Sequence, residues 1–589
     1  MKSLLPPLLL SAFLPGAVFG NDGWDAGPDP YEARAETGIM VKMRDGVKLS
    51  TDLFFPRGAT EKRPVILWRT AYGKTGAFDN TPLFRELVSR GYVVATQDTR
   101  GRGESEGTFK PAIGDRNDGY DTVSWLTAQP WSNQKVGTAG CSLSGEAQLL
   151  LAATRHPHHV TAIPQASASG YNIRGRPWAS FDGGAFELAQ TAGWFSGDGR
   201  GVDYATLPII DILKKAGRPP TEYENFASSN PEGEYFRNLE WVRPGDRLDA
   251  PALFFDSWYD YGPAETLSLF NVLRKESPSA RARDNQFVIV APGTHCGYAD
   301  ATERTIVGER DLGDARLDVV DIQRRWFDYW MKGIDNGVTR MPRIQYYLMG
   351  MNRWQSADSW PIPGTRFAKL YLDSGGGANR QNGDGTLSFE LPSRDASDRF
   401  VYDPAAPVPS LGGQSCCTGT ETESGSYDQS KIEMRDDVLV YTSGALERGL
   451  EVTGPLKVVL NVSSSARDTD FTAKLVDVYP DSRAFNVQEG ALRMRYREGF
   501  DTNLPMRSGE IYEIRLDLHA TANYFGPGHR IRLEVSSSNF PRWDRNLNTG
   551  GNNYDESRWE IAHSTVHHTA DRPSYIVLPI VASASAQRP

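Results

Sequence analysis

Residues 136–145, Val-Gly-Thr-Ala-Gly-Cys-Ser-Leu-Ser-Gly, form the segment with the clearest potential for chemistry. The pattern is that of a buried strand turning directly into a helix, with Ser142 at the turn. A nucleophilic serine on such a turn requires small neighbours, because the backbone is tight and strained there. Gly140, Ser144 and Gly145 meet this requirement, although the strict pattern has glycine at position 144. The segment indicates a nucleophile elbow, and a glycine-rich turn without chemistry is the alternative interpretation.

A serine nucleophile needs a base to take its proton and an acid to orient that base. On an α/β-hydrolase scaffold these residues follow in the order serine, acid, histidine, each after a strand. Of the nine histidines, only His295 follows a strand of the same domain, at residues 286–290. The acid must precede it, and Asp260 and Asp256 are the two candidates. We predict Asp260, which lies further into its loop, and interpret Asp256 as a structural or capping carboxylate.

The oxyanion of an acyl-transfer intermediate needs two preformed hydrogen-bond donors. The backbone N–H of Leu143 follows Ser142 directly and lies at the predicted start of a helix. The second donor is expected on the loop after the strand that ends at Trp68 and Arg69, where the hydroxyl of Tyr72 is the candidate. A packing role is the alternative for Tyr72.

The elements that must position these residues change along the chain. Strands and helices alternate through residues 21–160 and again through residues 248–350, which indicates a mostly parallel sheet with helical crossovers. An Asp-Gly turn within residues 39–55 predicts an initial hairpin. Residues 161–247 contain helical patches and many aromatics, which predicts an inserted helical cap. Residues 351–589 contain many short alternating segments, which predicts a C-terminal β-sandwich of jelly-roll type.

Composition and the first residues limit the function classes. The formal net charge is −10, without a basic run or stripe, which argues against nucleic-acid binding. A short positive start and an apolar stretch predict a secretory signal peptide over residues 1–20. No other apolar run is long enough to span a membrane. We therefore expect a soluble, secreted or periplasmic protein, in a compartment where its four cysteines are able to form disulfides. The sequence does not determine the oligomeric state.

Several more segments carry a resemblance to one enzyme family. They are Arg-Thr-Ala-Tyr-Gly-Lys at 69–74, Asp-Thr-Arg-Gly-Arg-Gly-Glu-Ser-Glu-Gly at 98–107, Trp-Tyr-Asp at 258–260, Pro-Gly-Thr-His at 292–295, Thr-Gly-Pro-Leu at 453–456, Asp-Thr-Asp-Phe at 468–471 and Gly-His-Arg-Ile-Arg at 528–532. Together they resemble the family that contains bacterial cocaine esterase, α-amino-acid ester hydrolases, glutaryl acylases and X-prolyl dipeptidyl peptidases. The resemblance implies an α/β-hydrolase domain, a helical cap and a C-terminal jelly roll. It implies a catalytic triad of Ser142, Asp260 and His295. It also implies that Tyr72 is the oxyanion hydroxyl and that His529 is structural.

The chain departs from the family pattern at two places near the predicted site. The residue after the nucleophile is commonly Tyr in the family and is Leu143 here. The α-amino-ester branch has a Glu-Asp pair after the catalytic Asp to hold the substrate ammonium, whereas this chain has Gly262 and Pro263. A buried ammonium without paired carboxylates is costly. This difference argues against an α-amino acyl substrate and weakens the dipeptidyl-peptidase interpretation.

Two cysteines flank the predicted catalytic residues. Cys141 precedes Ser142 and Cys296 follows His295, an arrangement that resembles tannases and fungal feruloyl esterases, in which a disulfide ties nucleophile to base. By that resemblance we predict a Cys141–Cys296 disulfide, with two buried thiols as the alternative. Cys416 and Cys417 lie in a predicted polar loop, where a vicinal disulfide and a pairing between chains are the two interpretations.

Asp468 and Asp470 have the spacing of a metal pair. A solvated turn or a hydrogen bond at a strand edge is the favoured interpretation. We predict neither a metal nor a cofactor.

The sequence therefore predicts a serine hydrolase that cleaves small-molecule carboxylic esters through an acyl-enzyme on Ser142. Amide hydrolysis of the acylase or X-prolyl dipeptidyl-peptidase type is the first alternative. A carbohydrate-binding protein with a relic hydrolase domain is the alternative from another class, because jelly rolls often bind sugars.

Overall fold

A computed structural model describes residues 33–58, 60–167, 179–197, 199–392, 395–418 and 422–581. The predicted signal peptide, residues 1–20, lies outside the described residues. Within these ranges, no helix is long and apolar enough to cross a membrane.

The first part of the described chain contains a ten-stranded mixed sheet. The strands of this part of the chain are β1 (Arg34–Lys42), β2 (Lys48–Phe55), β3 (Arg63–Thr70), β4 (Val93–Asp98), β5 (Ser132–Cys141), β6 (His159–Gln165), β7 (Phe181–Asp182), β8 (Ala185–Phe186), β9 (Ala252–Tyr259), β10 (Gln286–Thr294), β11 (Ile306–Val307), β12 (Arg310–Asp311), β13 (Ile344–Leu348) and β14 (Arg353–Ala357). The strands β7 and β8 form one separate short pair, and β11 and β12 form another. The large sheet has the order β1-β2-β4-β3-β5-β6-β9-β10-β13-β14. The run from β4 to β13 is parallel, and β1 and β2 form the predicted hairpin.

Helices cover both faces of the parallel strands. They are α1 (Ala77–Asn80), α2 (Pro82–Ser89), α3 (Asp115–Ala128), α4 (Leu143–Thr154), α5 (Leu188–Ser196), α6 (Ile212–Lys215), α7 (Tyr223–Ser228), α8 (Glu234–Asn238), α9 (Pro263–Glu276), α10 (Ala280–Arg283) and α11 (Val319–Phe327). Strands buried on both faces are largely apolar, and the polar residues of β4 and β9 lie in the second half of each strand. Accordingly, every residue of β4 and of β9 is buried, and in β3 Val65 is in register with Val93 and Val136 on its two neighbours.

The short helices α5 to α8 lie in the insertion between β6 and β9. Aromatic edge-to-face contacts hold them together, with Phe226 at 5.1 Å from both Phe195 and Phe236. Such pairs add to the stability that burial of the rings already provides. The insertion is thus a group of short helices joined by aromatic side chains.

The second part of the described chain is all β, as predicted. Its strands are β15 (Arg366–Asp373), β16 (Thr386–Ser388), β17 (Ser397–Tyr402), β18 (Leu439–Ser443), β19 (Leu450–Ser464), β20 (Asp470–Val478), β21 (Ala484–Arg493), β22 (Tyr512–Phe525), β23 (Arg530–Ser536), β24 (Ala562–His567) and β25 (Tyr575–Val581). The longest pairing joins β19 to β22, from Leu450 opposite Phe525 to Val462 opposite Tyr512. The predicted fold class, an α/β-hydrolase-like sheet followed by an all-β domain, is confirmed.

Two aspartates of the all-β domain differ from the expectation of a solvated turn. Asp468 and Asp470 are both buried. Asp470 forms an ion pair with Arg493 at 2.9 Å, and Asp468 forms one with Arg495 at 2.7 Å. Of the two favoured interpretations, the solvated turn is therefore wrong, whereas Asp470, the first residue of β20, does accept hydrogen bonds at a strand end, from Arg493. The sequence gives no sign that two arginines lie opposite these carboxylates. Buried charges of this kind require such partners.

Candidate active site

Ser142 lies between the end of β5 and the first residue of α4. Its backbone has φ 61° and ψ −129°, a strained conformation of the kind found at functional turns. A Cβ on Gly145 would lie 2.6 Å from the carbonyl oxygen of Gln165, and a Cβ on Gly140 would lie 2.7 Å from Cβ of Ser144. Glycine is therefore required at positions 140 and 145. The serine at position 144 is accommodated as a buried side chain.

The other predicted site residues lie at the same edge of the sheet. Tyr72 follows β3, Asp260 follows β9 and His295 follows β10. The carboxyl ends of parallel strands share one edge, which is where ligands of open α/β sheets bind. The tertiary structure thus gathers residues that are separated by more than 200 positions in the chain.

The ring of His295 is oriented by Asp260. Both carboxylate oxygens of Asp260 lie 2.9 Å from Nδ1 of His295, and Asp260 is 1% exposed. One of these oxygens also accepts a hydrogen bond from the backbone N–H of Tyr261 at 2.6 Å. With Nδ1 engaged in this way, the lone pair of a neutral His295 is on Nε2. Nε2 has no hydrogen-bond partner among the described residues.

The contact with Asp260 determines the direction in which the pKa of His295 is shifted. Burial lowers the pKa of His295, but the charge of Asp260 and its hydrogen bonds outweigh that effect and raise the pKa to about 9. The site therefore stabilises an imidazolium, the form that a general base takes after it accepts a proton. In ligand-free hydrolases, the contact from base to nucleophile often tightens only when substrate binds.

The hydroxyl of Tyr72 lies 3.2 Å from Oγ of Ser142. The side chain as a whole is 54% exposed, while its hydroxyl lies among protein atoms at the site, where desolvation raises the pKa of Tyr72. The hydroxyl therefore remains protonated at neutral pH and is able to donate. Leu143 is the first residue of α4, so its N–H is not used by the helix's own hydrogen bonds.

Asp256 has a different environment from Asp260. It is fully buried, and it accepts hydrogen bonds from the backbone N–H of Ser257 at 2.8 Å and from the hydroxyl of Thr266 at 2.5 Å. Burial and the neighbouring charge of Asp260 raise the pKa of Asp256 well above its usual range. The contacts link the end of β9 to the first turn of α9, and none of them involves His295.

The structure contains a disulfide between Cys141 and Cys296, with Cα atoms 6.0 Å apart. This separation is within the usual range for disulfides. Cys141 is the last residue of β5 and Cys296 follows β10, so the bond joins the loop of Ser142 to the loop of His295 across 155 positions of sequence. The two loops are thereby restrained from moving apart.

The all-β domain contributes a pair of thiols that the sequence does not assign to the site. Cys416 and Cys417 are not in a disulfide, and their sulfur atoms lie 2.8 Å apart. Both sulfurs lie within 4.8 Å of a ring nitrogen of His295. The side chain of Gln190 on α5 accepts a hydrogen bond from the N–H of Cys416 at 3.1 Å. A Cβ on Gly193 would lie 2.0 Å from the carbonyl oxygen of Cys417, so glycine is what permits this approach.

Gly262 and Pro263 lie where the loop of Asp260 meets the start of α9. Gly262 directly precedes α9, which begins at Pro263, and a Cβ on Gly262 would lie 3.7 Å from both Asp256 Oδ2 and the carbonyl oxygen of Ser167. Gly262 and Pro263, at the positions where the α-amino-ester branch is expected to have its Glu-Asp pair, carry no charge.

Comparison with known proteins finds related families over most of the chain. The family described as X-Pro dipeptidyl-peptidase (S15 family) matches residues 45–297. The X-Pro dipeptidyl-peptidase C-terminal non-catalytic domain matches residues 336–577. Cocaine esterase of Rhodococcus sp. is 36% identical over 579 residues, which cover 92% of this chain and 98% of that protein.

Two solved structures share the fold over nearly the whole chain. An aminopeptidase from a marine sediment archaeon of the Thaumarchaeota has a TM-score of 0.79 and covers 96% of this chain and 99% of its own, at 24% identity. An α-amino acid ester hydrolase has a TM-score of 0.78 and covers 95% of this chain and 100% of its own, also at 24% identity.

The fold and these matches define a serine hydrolase. The chain belongs to the family that unites cocaine esterase with the S15 X-prolyl dipeptidyl peptidases.

Proposed function

We propose that this protein is an exported carboxylic ester hydrolase that acts through an acyl-enzyme on Ser142. The observation that carries the proposal is the convergence of two pairs at one sheet edge. Tyr72 lies 3.2 Å from Ser142 Oγ, and Asp260 lies 2.9 Å from His295 Nδ1. The family relationship to cocaine esterase supports ester substrates.

In the proposed mechanism, Ser142 Oγ attacks the acyl carbonyl while Nε2 of His295 takes its proton. The Tyr72 hydroxyl and the Leu143 N–H bind the oxygen that becomes negative. Asp260 stabilises the imidazolium that forms. As the intermediate collapses, the imidazolium protonates the leaving alcohol, and water, activated by the same histidine, then releases the acid.

We expect acyl groups without an α-amino substituent. The two positions after Tyr261 are uncharged, Gly262 and Pro263, and a substrate ammonium buried there without a carboxylate partner would be costly. The site wall directly after the nucleophile is aliphatic, since it is formed by the buried Leu143.

A fluorophosphonate probe and parallel substrate assays test this function. Ser142→Ala should abolish labelling and hydrolysis of p-nitrophenyl esters, whereas Ser144→Ala, the matched removal of a neighbouring hydroxyl, should retain both. Gly-Pro-p-nitroanilide should be cleaved far more slowly than the esters. Labelling that persists in Ser142→Ala would remove Ser142 as nucleophile. Faster cleavage of the anilide would favour the alternative of an X-prolyl peptidase, the activity for which the matching S15 family is named.

Export is part of the proposal and has its own test. The Cys141–Cys296 disulfide supports an oxidising compartment, and the first 20 residues have the pattern of a secretory signal. Amino-terminal sequencing of the protein from its native host should find a chain that begins near residue 21. A mature chain that still begins at Met1 in the cell interior would contradict export.

A further inference from the structure

The thiols of Cys416 and Cys417 form a three-donor cluster with His295. The two sulfurs and one ring nitrogen of His295 lie within 4.8 Å of one another. Two thiolates and one imidazole are the protein ligands of one class of zinc site, in which water or substrate takes the fourth position. Sulfur donors of this kind favour soft or borderline cations such as Zn²⁺ and Cd²⁺.

The free nitrogen of His295 is the one that such a cation would use. Nδ1 is held by Asp260 at 2.9 Å, whereas Nε2 has no hydrogen-bond partner among the described residues. A carboxylate that holds the far nitrogen of a metal-binding histidine is the usual outer-shell arrangement, and it fixes the tautomer and increases ligand basicity. Asp260 therefore prepares His295 as a ligand in the same way that it prepares it as a base.

The thiols are able to adjust to a cation. Tetrahedral coordination with Zn–S bonds of about 2.3 Å requires the sulfurs to be about 3.8 Å apart, so the present separation of 2.8 Å must widen. Cys417 is exposed, which leaves its side chain room to rotate.

The geometry points to a binding site for a thiophilic divalent cation, Zn²⁺ or Cd²⁺, formed by Cys416, Cys417 and Nε2 of His295, whose occupation reversibly inhibits hydrolysis. Each thiol gives up its proton to solvent and forms a sulfur–metal bond, a protonated His295 likewise releases its Nε2 proton as that nitrogen binds, and no oxidation is involved. The cation occupies the lone pair with which His295 would take the proton of Ser142. The inhibition, though not the binding, rests on the proposed function of His295.

Binding is measured first without reference to activity. Ser142→Ala protein, gently reduced until Cys416 and Cys417 titrate with a thiol reagent, should bind one Cd²⁺ per chain by calorimetry. An ultraviolet thiolate-to-cadmium charge-transfer band should rise with it. Loss of an outer-shell partner already costs roughly 10- to 100-fold in metal affinity. The double variant Cys416→Ser/Cys417→Ser should therefore bind more than about 100-fold more weakly.

A matched control removes an exposed imidazole elsewhere. His563 is exposed on β24, and His563→Gln should leave the affinity and the absorption band unchanged. Equal Cd²⁺ affinity in the double-serine variant and its parent, or binding without a sulfur band, would overturn the site.

Inhibition is measured next in the wild-type serine background. Zn²⁺ should inhibit ester hydrolysis at the concentration at which it binds, and a chelator should restore activity. The double-serine variant, compared with its own metal-free rate, should lose this sensitivity. Cd²⁺ binding in a protein that hydrolyses no ester would refute the proposed function and leave the cation site standing. Hydrolysis that is insensitive to bound cation would refute the inhibition alone.

Discussion

Asp260→Asn is the most informative single substitution at this site. It retains the shape of the side chain but removes the negative charge from the group that lies 2.9 Å from His295 Nδ1. Burial of His295, which by itself lowers the pKa, is then no longer outweighed. Cys417 and Asp256 raise the pKa of His295 by smaller amounts and remain in place.

The size of the effect follows from the pKa values. The difference between the ordinary value of 6.5 and about 9 corresponds to about 3 kcal/mol in favour of the imidazolium. Since the catalytic base must be neutral, kcat/KM of the wild-type enzyme should rise with pH to a plateau with a midpoint near 9. In Asp260→Asn the midpoint should fall to 6.5 or below. The plateau rate should also fall roughly 10⁴-fold, because the amide no longer holds the correct tautomer.

The same shift predicts a pH dependence of stability. Because the pKa of His295 is raised in the folded state, its protonation stabilises the fold fully below about pH 6.5, and this contribution is lost as the pH rises through about 9. The thermal midpoint of the wild-type protein should therefore fall across that interval more than that of Asp260→Asn. Thermal unfolding followed by circular dichroism between pH 6 and pH 10 measures both.

Asp256→Asn is the matched control. Burial raises the pKa of Asp256, which favours its neutral form, and its hydrogen bonds involve Ser257 and Thr266 rather than His295. The wild-type pH midpoint should persist in this variant. The reasoning is refuted if the wild-type midpoint lies at 6.5 or below. It is also refuted if Asp256→Asn reduces kcat/KM as much as Asp260→Asn does.

Three more changes test other parts of the site. Tyr72→Phe should lower kcat roughly 10²- to 10³-fold with little change in KM, since an oxyanion donor acts mainly in the transition state; an unchanged kcat would exclude that role. The double variant Cys141→Ser/Cys296→Ser should lose about 2–5 kcal/mol of stability in urea titrations, and an unchanged midpoint would show that the bond adds nothing. Gly145→Ala should reduce esterase activity sharply, because the added Cβ would lie 2.6 Å from a backbone oxygen; full activity would contradict the requirement for glycine.

Much of this protein is determined by local sequence. The elbow at Ser142 is predictable because a strained strand-to-helix turn requires small residues at fixed offsets, and Gly140 and Gly145 occupy them. The positions of Asp260 and His295 after their strands follow from the order of strands and helices, because parallel strands bring their carboxyl ends to one edge. The initial hairpin is equally local, since an Asp-Gly turn fixes its reversal.

Other features were decided only by the tertiary structure. Asp468 and Asp470 are buried with Arg493 and Arg495 as their ion-pair partners. The residues next to the two aspartates in the sequence do not indicate such a pairing with a distant segment. The placement of Cys416 and Cys417 beside His295 depends on how the all-β domain packs against α5. Contacts between residues more than 100 positions apart are set by the shapes of two packed surfaces. The sequence therefore predicts the candidate catalytic residues, and only the folded chain decides what surrounds them.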